Sequence, residues 1–161
     1  MPVEMKIKGL MIDPVSNMPI IVLKDATGEA VLPIWVGIFE ANAIAMQLEK
    51  VSSPRPMTHD LLRSVIEELQ GRVESVVITD LRENTFFATI HVTRNGKGVA
   101  IDARPSDAMA LALRSNVPIL VEEIVLQKSS VGGDEAGSDE TERLRKWLEN
   151  VDPEELGRYE M

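Results

Sequence analysis

Two short segments of the chain combine the residue types that phosphate chemistry uses. The first reads Arg55-Pro56-Met57-Thr58-His59-Asp60, and the second reads Asp102-Ala103-Arg104-Pro105-Ser106-Asp107. Each places an arginine and a proline directly before a predicted helix, and the unpaired backbone N–H groups at a helix start favour an anion. A guanidinium group adds planar, bidentate phosphate binding. The predicted phosphate-binding residues are Arg55, Thr58, Arg104 and Ser106.

The same two segments supply carboxylates and a histidine. Together with Glu40, which lies earlier in the chain, the carboxylates could hold Mg²⁺ or Mn²⁺ through oxygen ligands. Such an ion would activate water and neutralise the charge that develops on phosphate. Imidazole could act as a general base or acid. The predicted catalytic residues are His59, Asp60, Asp102 and Asp107, and the predicted metal ligands are Glu40, Asp102 and Asp107.

Each of these residues also has a purely structural interpretation. Asp60 and Asp107 lie in predicted first helical turns, where acids stabilise the helix dipole. Thr58 and Ser106 are good N-cap residues. Arginines in such loops often pair with the neighbouring acids, and ion-pair networks of this kind resemble active sites. Residue types alone therefore leave both interpretations open.

Composition excludes several other chemistries. The chain has no cysteine, which rules out disulfides, thiolate metal sites and cysteine nucleophiles. Its two histidines are far apart in sequence, so we expect no zinc site. The phosphate-loop and dinucleotide fingerprints are missing, and we expect no nucleotide cofactor.

Length and charge indicate one ordinary folded domain with an acidic surface. The 161 residues carry a net charge of −9, and residues 128–161 hold 10 acidic but only 5 basic residues. An acidic protein repels a phosphate backbone at long range, so nucleic-acid binding would need a local basic cluster or a bridging cation. We see neither a secretory signal nor an apolar run of membrane-spanning length, and we expect a cytoplasmic protein that does not enter the membrane.

The chain predicts an α+β fold with a mixed, mainly antiparallel sheet and three main helices. Three strands in 5–36 form a meander, a helix follows from Ile38, and a second helix starts near Thr58. Three more strands in 73–103 include a hairpin at Asn95-Gly96, the strongest turn signal in the chain. A third helix opens at Pro105, and residues 118–125 read as a final strand pair or one bent strand.

Domain boundaries follow from composition. We assign residues 1–127 to the domain, residues 128–138 to a flexible acidic Gly/Ser linker, and residues 139–161 to a helical tail. The tail carries Leu144, Trp147, Leu148 and Val151 at helical spacing but is too small to fold alone. We expect it to dock on the core or on a partner subunit, most simply in a symmetric dimer.

One stretch of the chain repeats another at a shift of 67 positions. Residues 31–45 can be laid over residues 98–112, and each copy contains a strand, a turn, an acid and a helix rich in small residues. In this alignment Glu40 meets Asp107, and the alternate alanines coincide. We interpret the two stretches as related strand–helix units of a possible internal duplication, whose alanines let the helices pack closely.

Several of these motifs, in order, resemble the bifunctional nuclease domain family. The resemblance covers roughly Met5 to Val125 and rests on four motifs: 32–37 (Leu-Pro-Ile-Trp-Val-Gly), 40–41 (Glu-Ala), 55–61 (Arg-Pro-Met-Thr-His-Asp-Leu) and 101–114 (Ile-Asp-Ala-Arg-Pro-Ser-Asp-Ala-Met-Ala-Leu-Ala-Leu-Arg). It implies an α+β fold and an enzyme that hydrolyses phosphodiester bonds in DNA, RNA or both. The roles given above to individual residues rest on their chemistry and not on the family. The alternative is a non-catalytic, oligomeric module that binds a small anionic ligand or a protein partner.

Overall fold

The computed structural model describes the backbone of residues 1–135 and the side chains of residues 1–130. The described residues form a seven-stranded sheet in the order β3-β2-β1-β7-β4-β5-β6, with four helices. The strands are β1 (Val3–Ile12), β2 (Pro19–Asp25), β3 (Val31–Trp35), β4 (Gly71–Arg82), β5 (Thr85–Arg94), β6 (Lys97–Ala103) and β7 (Ile119–Val121). The helices are α1 (Ile38–Leu48), α2 (Thr58–Glu68), α3 (Pro105–Ser115) and α4 (Glu123–Glu135).

The sheet consists of two three-stranded antiparallel meanders joined by one short strand. β1, β2 and β3 form the first meander, and β4, β5 and β6 form the second. Between them, β7 runs antiparallel to β1 and parallel to β4. This arrangement confirms the predicted α+β class and the mixed, mainly antiparallel sheet.

The tight turns form where the sequence supplies residues that tolerate a left-handed backbone. Asn95 and Gly96 have φ values of 51° and 76° and join β5 to β6, as a two-residue hairpin requires. Glu83 and Asn84, with φ values of 49° and 61°, connect β4 to β5 in the same way. The predicted hairpin at Asn95-Gly96 is confirmed.

The core lies between the sheet and helices α1 and α3. Alternate residues of the strands, among them Ile21, Leu23, Val76 and Ile78, point into it and are fully buried. The alanines of the two helices are buried as well, and Ala112 is 1% exposed. Small side chains on both helices allow α1 and α3 to pack closely, as their sequence pattern predicts.

The two strand–helix units of the internal repeat occupy the two edges of the sheet. β3 is one edge strand and leads into α1, whereas β6 is the opposite edge strand and leads into α3. The helices return over the sheet and pack against each other. Each half therefore has the same order of elements, three antiparallel strands followed by a helix.

One local prediction after α3 was wrong. Residues 118–125 form the three-residue strand β7 and the start of α4 instead of a strand pair. Helix α4 then continues to Glu135, through most of the stretch that composition predicted as linker. Lys128 anchors this stretch through an ion pair with Asp80 at 2.7 Å, a long-range contact that composition does not reveal. The predicted tail, residues 139–161, lies outside the described residues.

None of the helices in the described part of the chain has both the length and the apolar character needed to cross a membrane.

Candidate functional site

The starts of α2 and α3 meet, although they are 47 residues apart in sequence (58 and 105). His59 in the first turn of α2 lies 2.9 Å, from Nε2 to Oδ1, from Asp107 in the first turn of α3. The histidine is buried and the aspartate is partly exposed. The two arginine-led segments thus converge, as the functional interpretation of the sequence requires.

The caps of the two helices differ from the predicted ones. Met57 and not Thr58 is the N-cap residue of α2, and Arg104 and not Ser106 is that of α3. In α2 the carboxylate of Asp60 accepts a hydrogen bond from the Met57 backbone N–H at 2.9 Å. In α3 the proline at position 105 starts the helix one residue before Ser106, because its fixed φ suits the first helical position.

Arg104 is the centre of the first cluster, which we call the arginine network and which consists of Glu40, His59, Arg104 and Asp107. The guanidinium donates from Nη2 to Glu40 Oε1 and from Nε to Asp107 Oδ2, both at 2.8 Å. Its hydrogen bonds to Asp107 and Glu40 raise the pKa of Arg104 above its ordinary value. The side chain nevertheless remains 64% exposed. The network links α1, α2 and α3.

The carboxylate of Asp107 is held in its ionised form. Desolvation by burial raises the pKa of Asp107, but hydrogen bonds from Arg104 and His59 outweigh it and leave the pKa below its ordinary value. Asp107 thus bonds an exposed cation with one oxygen and the imidazole with the other. This arrangement orients the ring of His59.

Gly37 provides the space for the carboxylate of Glu40. A Cβ at position 37 would lie only 2.3 Å from Glu40 Oε2, a separation at which the carboxylate would have to move. Gly37 is the N-cap residue of α1, and its own backbone is extended rather than left-handed. A glycine suits position 37 because the Glu40 carboxylate lies so close to its backbone, and not because the backbone conformation is unusual.

A residue that the sequence reasoning missed, Arg114, connects the two halves of the molecule. Its side chain is 5% exposed. It donates from Nε to Asp60 Oδ1 at 2.8 Å, from Nη1 to Ala110 O at 2.9 Å and from Nη2 to Ala43 O at 3.0 Å. A signal was present, because Arg114 follows the buried Ala110 by four residues and so shares its helix face.

Asp60 owes its charge state to this buried arginine and to its own helix start. Desolvation by burial raises the pKa of Asp60, but the Met57 backbone N–H and the Arg114 guanidinium outweigh it and lower the pKa. A carboxylate with two such partners is a weak base. Asp60, predicted as catalytic, is therefore better suited to positioning the loop before α2.

A cavity of about 460 Å³ opens beside this loop; we call it the α2 cavity. This volume lies in the range of small-molecule sites. Its walls come from the end of α1, the loop to α2, the first turns of α2 and the buried arginine of α3. The polar side chains that line it are Gln47, Lys50, Ser52, Ser53, Arg55, Asp60, Ser64 and Arg114.

The balance of charge distinguishes the α2 cavity from the arginine network. In the cavity, Asp60 pairs with Arg114, and no ion pair of the described residues involves Lys50 or Arg55. The network instead surrounds one guanidinium with two carboxylates. An anion such as phosphate is therefore attracted to the cavity more than to the network.

Not every predicted site residue joins these clusters. Arg55 lines the α2 cavity, whereas Arg104 does not belong to its lining. Thr58 is exposed at the start of α2, and Ser106 is buried. Asp102 pairs with Thr89 in the ladder between β5 and β6. Because side chains alternate along a strand, Asp102 points to the face opposite Ile101 and its buried partner Ile90, away from the network.

The carboxylates predicted to bind a metal do not form a metal site in the described part of the chain. Glu40 and Asp107 share Arg104, whose positive charge takes the place between them that a cation would take. Asp102 lies on the opposite face of the sheet. In the described residues, no group of three or more His, Asp or Glu side chains is arranged to hold a metal ion. This set of residues therefore does not fit a resident Mg²⁺ or Mn²⁺.

Comparison with known proteins places these features in a family. The model of the bifunctional nuclease domain matches residues 21–133, a span that includes both arginine-led segments. An uncharacterized protein of Mycobacterium tuberculosis is 39% identical over 162 residues, which cover 95% of this chain and 97% of that protein. Bifunctional nuclease 1 of Arabidopsis thaliana is 28% identical over 128 residues, 76% of this chain and 39% of the plant protein. Bifunctional nuclease 2 of Oryza sativa subsp. japonica is 29% identical over 118 residues, 71% of this chain and 36% of the plant protein.

Proposed function

Because this chain belongs to the bifunctional nuclease domain family, we propose that it is a nuclease that hydrolyses phosphodiester bonds in DNA, RNA or both. The observation that carries the proposal is the α2 cavity, whose wall holds two cations, Lys50 and Arg55, without an ion-pair partner among the described residues. The His59–Asp107 pair lies at the same helix start but is not part of the cavity lining. The names of the plant relatives agree with this assignment.

In the proposed complex, Lys50 and Arg55 bind the phosphate. Both line the cavity and lack a carboxylate partner among the described residues, so a phosphate does not have to displace an existing ion pair. Arg55 contributes the fork-shaped donor group that matches two phosphate oxygens. The hydroxyls of Ser52 and Ser53 add further donors to the cavity wall, whereas the Ser64 hydroxyl donates to Asp60 O at 3.0 Å.

His59 is the proposed proton-transfer group, and Asp107 is its positioning residue. A water oxygen forms a bond to phosphorus while the imidazole accepts the proton of that water. The bond between phosphorus and the leaving oxygen breaks, and the imidazolium returns a proton to that oxygen. Asp107 holds Nε2 of His59 at 2.9 Å, which leaves Nδ1 for the transfer.

Assistance by Mg²⁺ or Mn²⁺ stays a prediction, and none of these steps depends on it. The residues predicted as ligands are divided between Arg104 and the opposite face of the sheet. A metal that arrives with the nucleic acid would lower the repulsion between the substrate and the acidic surface.

The test is hydrolysis of labelled single- and double-stranded DNA and RNA by the full chain, with and without added Mg²⁺ or Mn²⁺. The variants are Arg55→Gln, His59→Asn and Asp107→Asn. Arg72→Gln is the control, because Arg72 is an exposed arginine that pairs with Glu74 on its own strand. Melting temperatures measured in parallel identify any variant that is unfolded.

Each variant has a distinct expected result. Arg55→Gln should raise KM about tenfold or more, the size of one lost charge-assisted contact. His59→Asn should lower kcat on the order of 100-fold, the low end of general acid–base catalysis. Asp107→Asn should change the pH profile of kcat. Full activity of the folded His59→Asn variant would remove His59 from the mechanism, and no hydrolysis by the wild type would refute the nuclease assignment.

A second candidate function is anion binding without hydrolysis, which Lys50 and Arg55 also favour because neither has an ion-pair partner in the part of the chain that the structure describes. In this case fluorescence anisotropy would detect a labelled oligonucleotide that binds the wild type, binds Arg55→Gln more weakly, and is never cut. Equal binding by both proteins would exclude the α2 cavity as the anion site.

A further inference from the structure

The two edges of the sheet are very different in exposure. In β3 two residues are buried and two more are half-buried, whereas in β6 six of seven residues are exposed. Two of the exposed residues of β6 are large and apolar, Val99 at 43% and Ile101 at 41%. An open edge strand with apolar side chains is a template for pairing with another strand.

A proline closes the edge at β3. Two backbone hydrogen bonds, Asp25 N–H to Ala30 O and Val36 N–H to Pro19 O, fix which residues of β3 bond to β2. By alternation, the amide of residue 33 points away from β2, towards the free edge. Residue 33 is Pro33, which has no N–H to donate there. A further strand could not complete its hydrogen bonds with β3.

The corresponding position of β6 is open. The 67-residue shift of the internal repeat places Ala100 where β3 has Pro33. Arg94 and Lys97 close the Asn95-Gly96 turn, and in such a turn the N–H of Lys97 points to Arg94. Alternation then directs the backbone groups of Gly98, Ala100 and Asp102 outward.

We infer that β6 is the interface for a second copy of this chain, and that two β6 strands pair antiparallel about a two-fold axis at Ala100. This register overlaps all seven residues of both strands and forms about six backbone hydrogen bonds. The two seven-stranded sheets become one continuous sheet. The occupant is another copy because the strand is complementary to itself in this register.

Self-complementarity is visible residue by residue. Val99 faces the partner's Ile101 on the helix side of the sheet, and Gly98 faces the partner's Asp102 on the other side. At the axis Ala100 meets its own copy, which a small side chain permits. The two charged residues, Lys97 and Asp102, face the partner's Ala103 and Gly98, so no like charges oppose each other.

Helix α2 presents further apolar surface next to this edge. A Cβ at Gly71 would lie 3.0 Å from Ile66 Cγ2 of α2 and 3.1 Å from Val92 Cγ1 of β5, and Val92 pairs with Val99 of β6. Four apolar residues of α2 form a stripe that is exposed in the single chain, at Leu61, Leu62, Val65 and Leu69. An association through β6 brings this stripe towards the partner.

One open edge and one closed edge limit the assembly to two copies. A second pairing would have to use β3, where Pro33 prevents it. The interface is therefore isologous and closed, and it does not continue into a fibre.

The test is the mass of the full chain in solution by sedimentation and multi-angle light scattering over a dilution series. Ala100→Pro gives β6 the residue that closes β3, and Ala100→Ser is the matched control that keeps the N–H. The double variant Val99→Glu, Ile101→Glu places carboxylates opposite each other across the axis. Circular dichroism and melting curves check that each variant is folded.

We expect a dimer for the wild type and for Ala100→Ser at about 10 µM, with a dissociation constant at least tenfold higher in the two disruptive variants. If Ala100→Pro does not fold, the double variant decides alone. A wild type that is monomeric up to about 100 µM would overturn the inference. A dimer that persists in the folded disruptive variants would also overturn it. The same holds if Trp147→Ser in the tail abolishes the dimer while the disruptive variants of β6 do not.

Discussion

The two edges of the sheet are built from the same repeated unit but have different properties. In the first half, β3 carries Pro33, and Gly37 stands at the start of α1. In the second half, Ala100 takes the place of Pro33, and Arg104 takes the place of Gly37. The first edge is thereby closed and uncharged, and the second is open and carries an exposed cation. The two halves thus share one order of elements and differ at these two pairs of positions.

The acids at the equivalent positions show the same division. Glu40 and Asp107 correspond in the repeat, and both accept a hydrogen bond from Arg104. Asp107 also bonds His59. Glu40 instead places its carboxylate in the space that is free because Gly37 has no side chain. A single arginine therefore uses the acids of both halves. Variants at these residues, and at the arginine that joins the two halves, test how far the difference reaches.

The largest effect should come from Arg114, which ties the second half to Ala43 of the first. Arg114→Met leaves the Asp60 carboxylate without its buried partner and removes the additional side-chain donors to Ala110 O and Ala43 O. We expect the free energy of unfolding to fall by about 2–3 kcal/mol, the size of lost hydrogen bonds to a charged group, measured by urea denaturation. Asp60→Asn in the Arg114→Met background should recover part of this loss; a double variant as unstable as the sum of the two singles would contradict the pairing.

A smaller effect should follow at Gly37. Gly37→Ala forces the Glu40 carboxylate to move away from Arg104, and we expect the free energy of unfolding to fall by about 1 kcal/mol. Gly98→Ala is the matched control, because no atom of the single chain outside its chain neighbours lies within 4 Å of a Cβ at position 98. Both variants are measured at concentrations below the dissociation constant of the proposed β6 dimer. Glu40→Ala should remove the penalty of Gly37→Ala. If both glycine variants are equally stable, close approach does not explain Gly37.

Arg104 should matter less for stability than its two ion pairs indicate. Its side chain is 64% exposed, so water and salt screen the pairs with Glu40 and Asp107. Arg104→Gln should cost at most about 1 kcal/mol, and the difference from wild type should shrink at high salt. A loss as large as that of Arg114→Met would show that exposure does not separate these two arginines.

The smallest effect concerns acid stability. The lowered pKa of Asp107 and of Asp60 means that both carboxylates bind protons more readily in the unfolded chain. Their contribution is fully present above the ordinary aspartate pKa of about 4 and is lost as the pH falls through the lower folded values. Denaturation at a series of pH values should show this loss in the wild type and a weaker one in Asp107→Asn. Identical pH dependence would contradict the assigned contacts.

The sequence predicts the fold well where local chemistry decides it. Asn95-Gly96 allows the left-handed turn that joins β5 to β6, and the repeat with its alternate alanines indicates the two strand–helix units. Residues 128–135 show the opposite case, because a glycine- and serine-rich stretch became helical next to the tertiary contact of Lys128 with Asp80.

The site is less predictable than the fold for a similar reason. Residue types correctly indicate that Arg55, His59 and Asp60 belong with α2, and that Arg104 and Asp107 belong with α3. They do not reveal that Asp102 faces the other side of the sheet. Which residues of β6 point to each face depends on how β6 pairs with β5. Nor do they show that α2 leaves its apolar stripe exposed, since an amphipathic pattern is the same whether the helix packs within the chain or against a partner.

We propose above that the α2 cavity binds the phosphate of a nucleic acid that this chain cuts. The most direct measurement is the initial rate of cleavage of one labelled single-stranded oligonucleotide, at a concentration below KM, by wild type, Arg55→Gln and Arg72→Gln. We predict that the wild type and Arg72→Gln cleave the oligonucleotide at similar rates. The rate of a folded Arg55→Gln should be lower by a factor of about ten or more. Equal rates for all three proteins would contradict the claim.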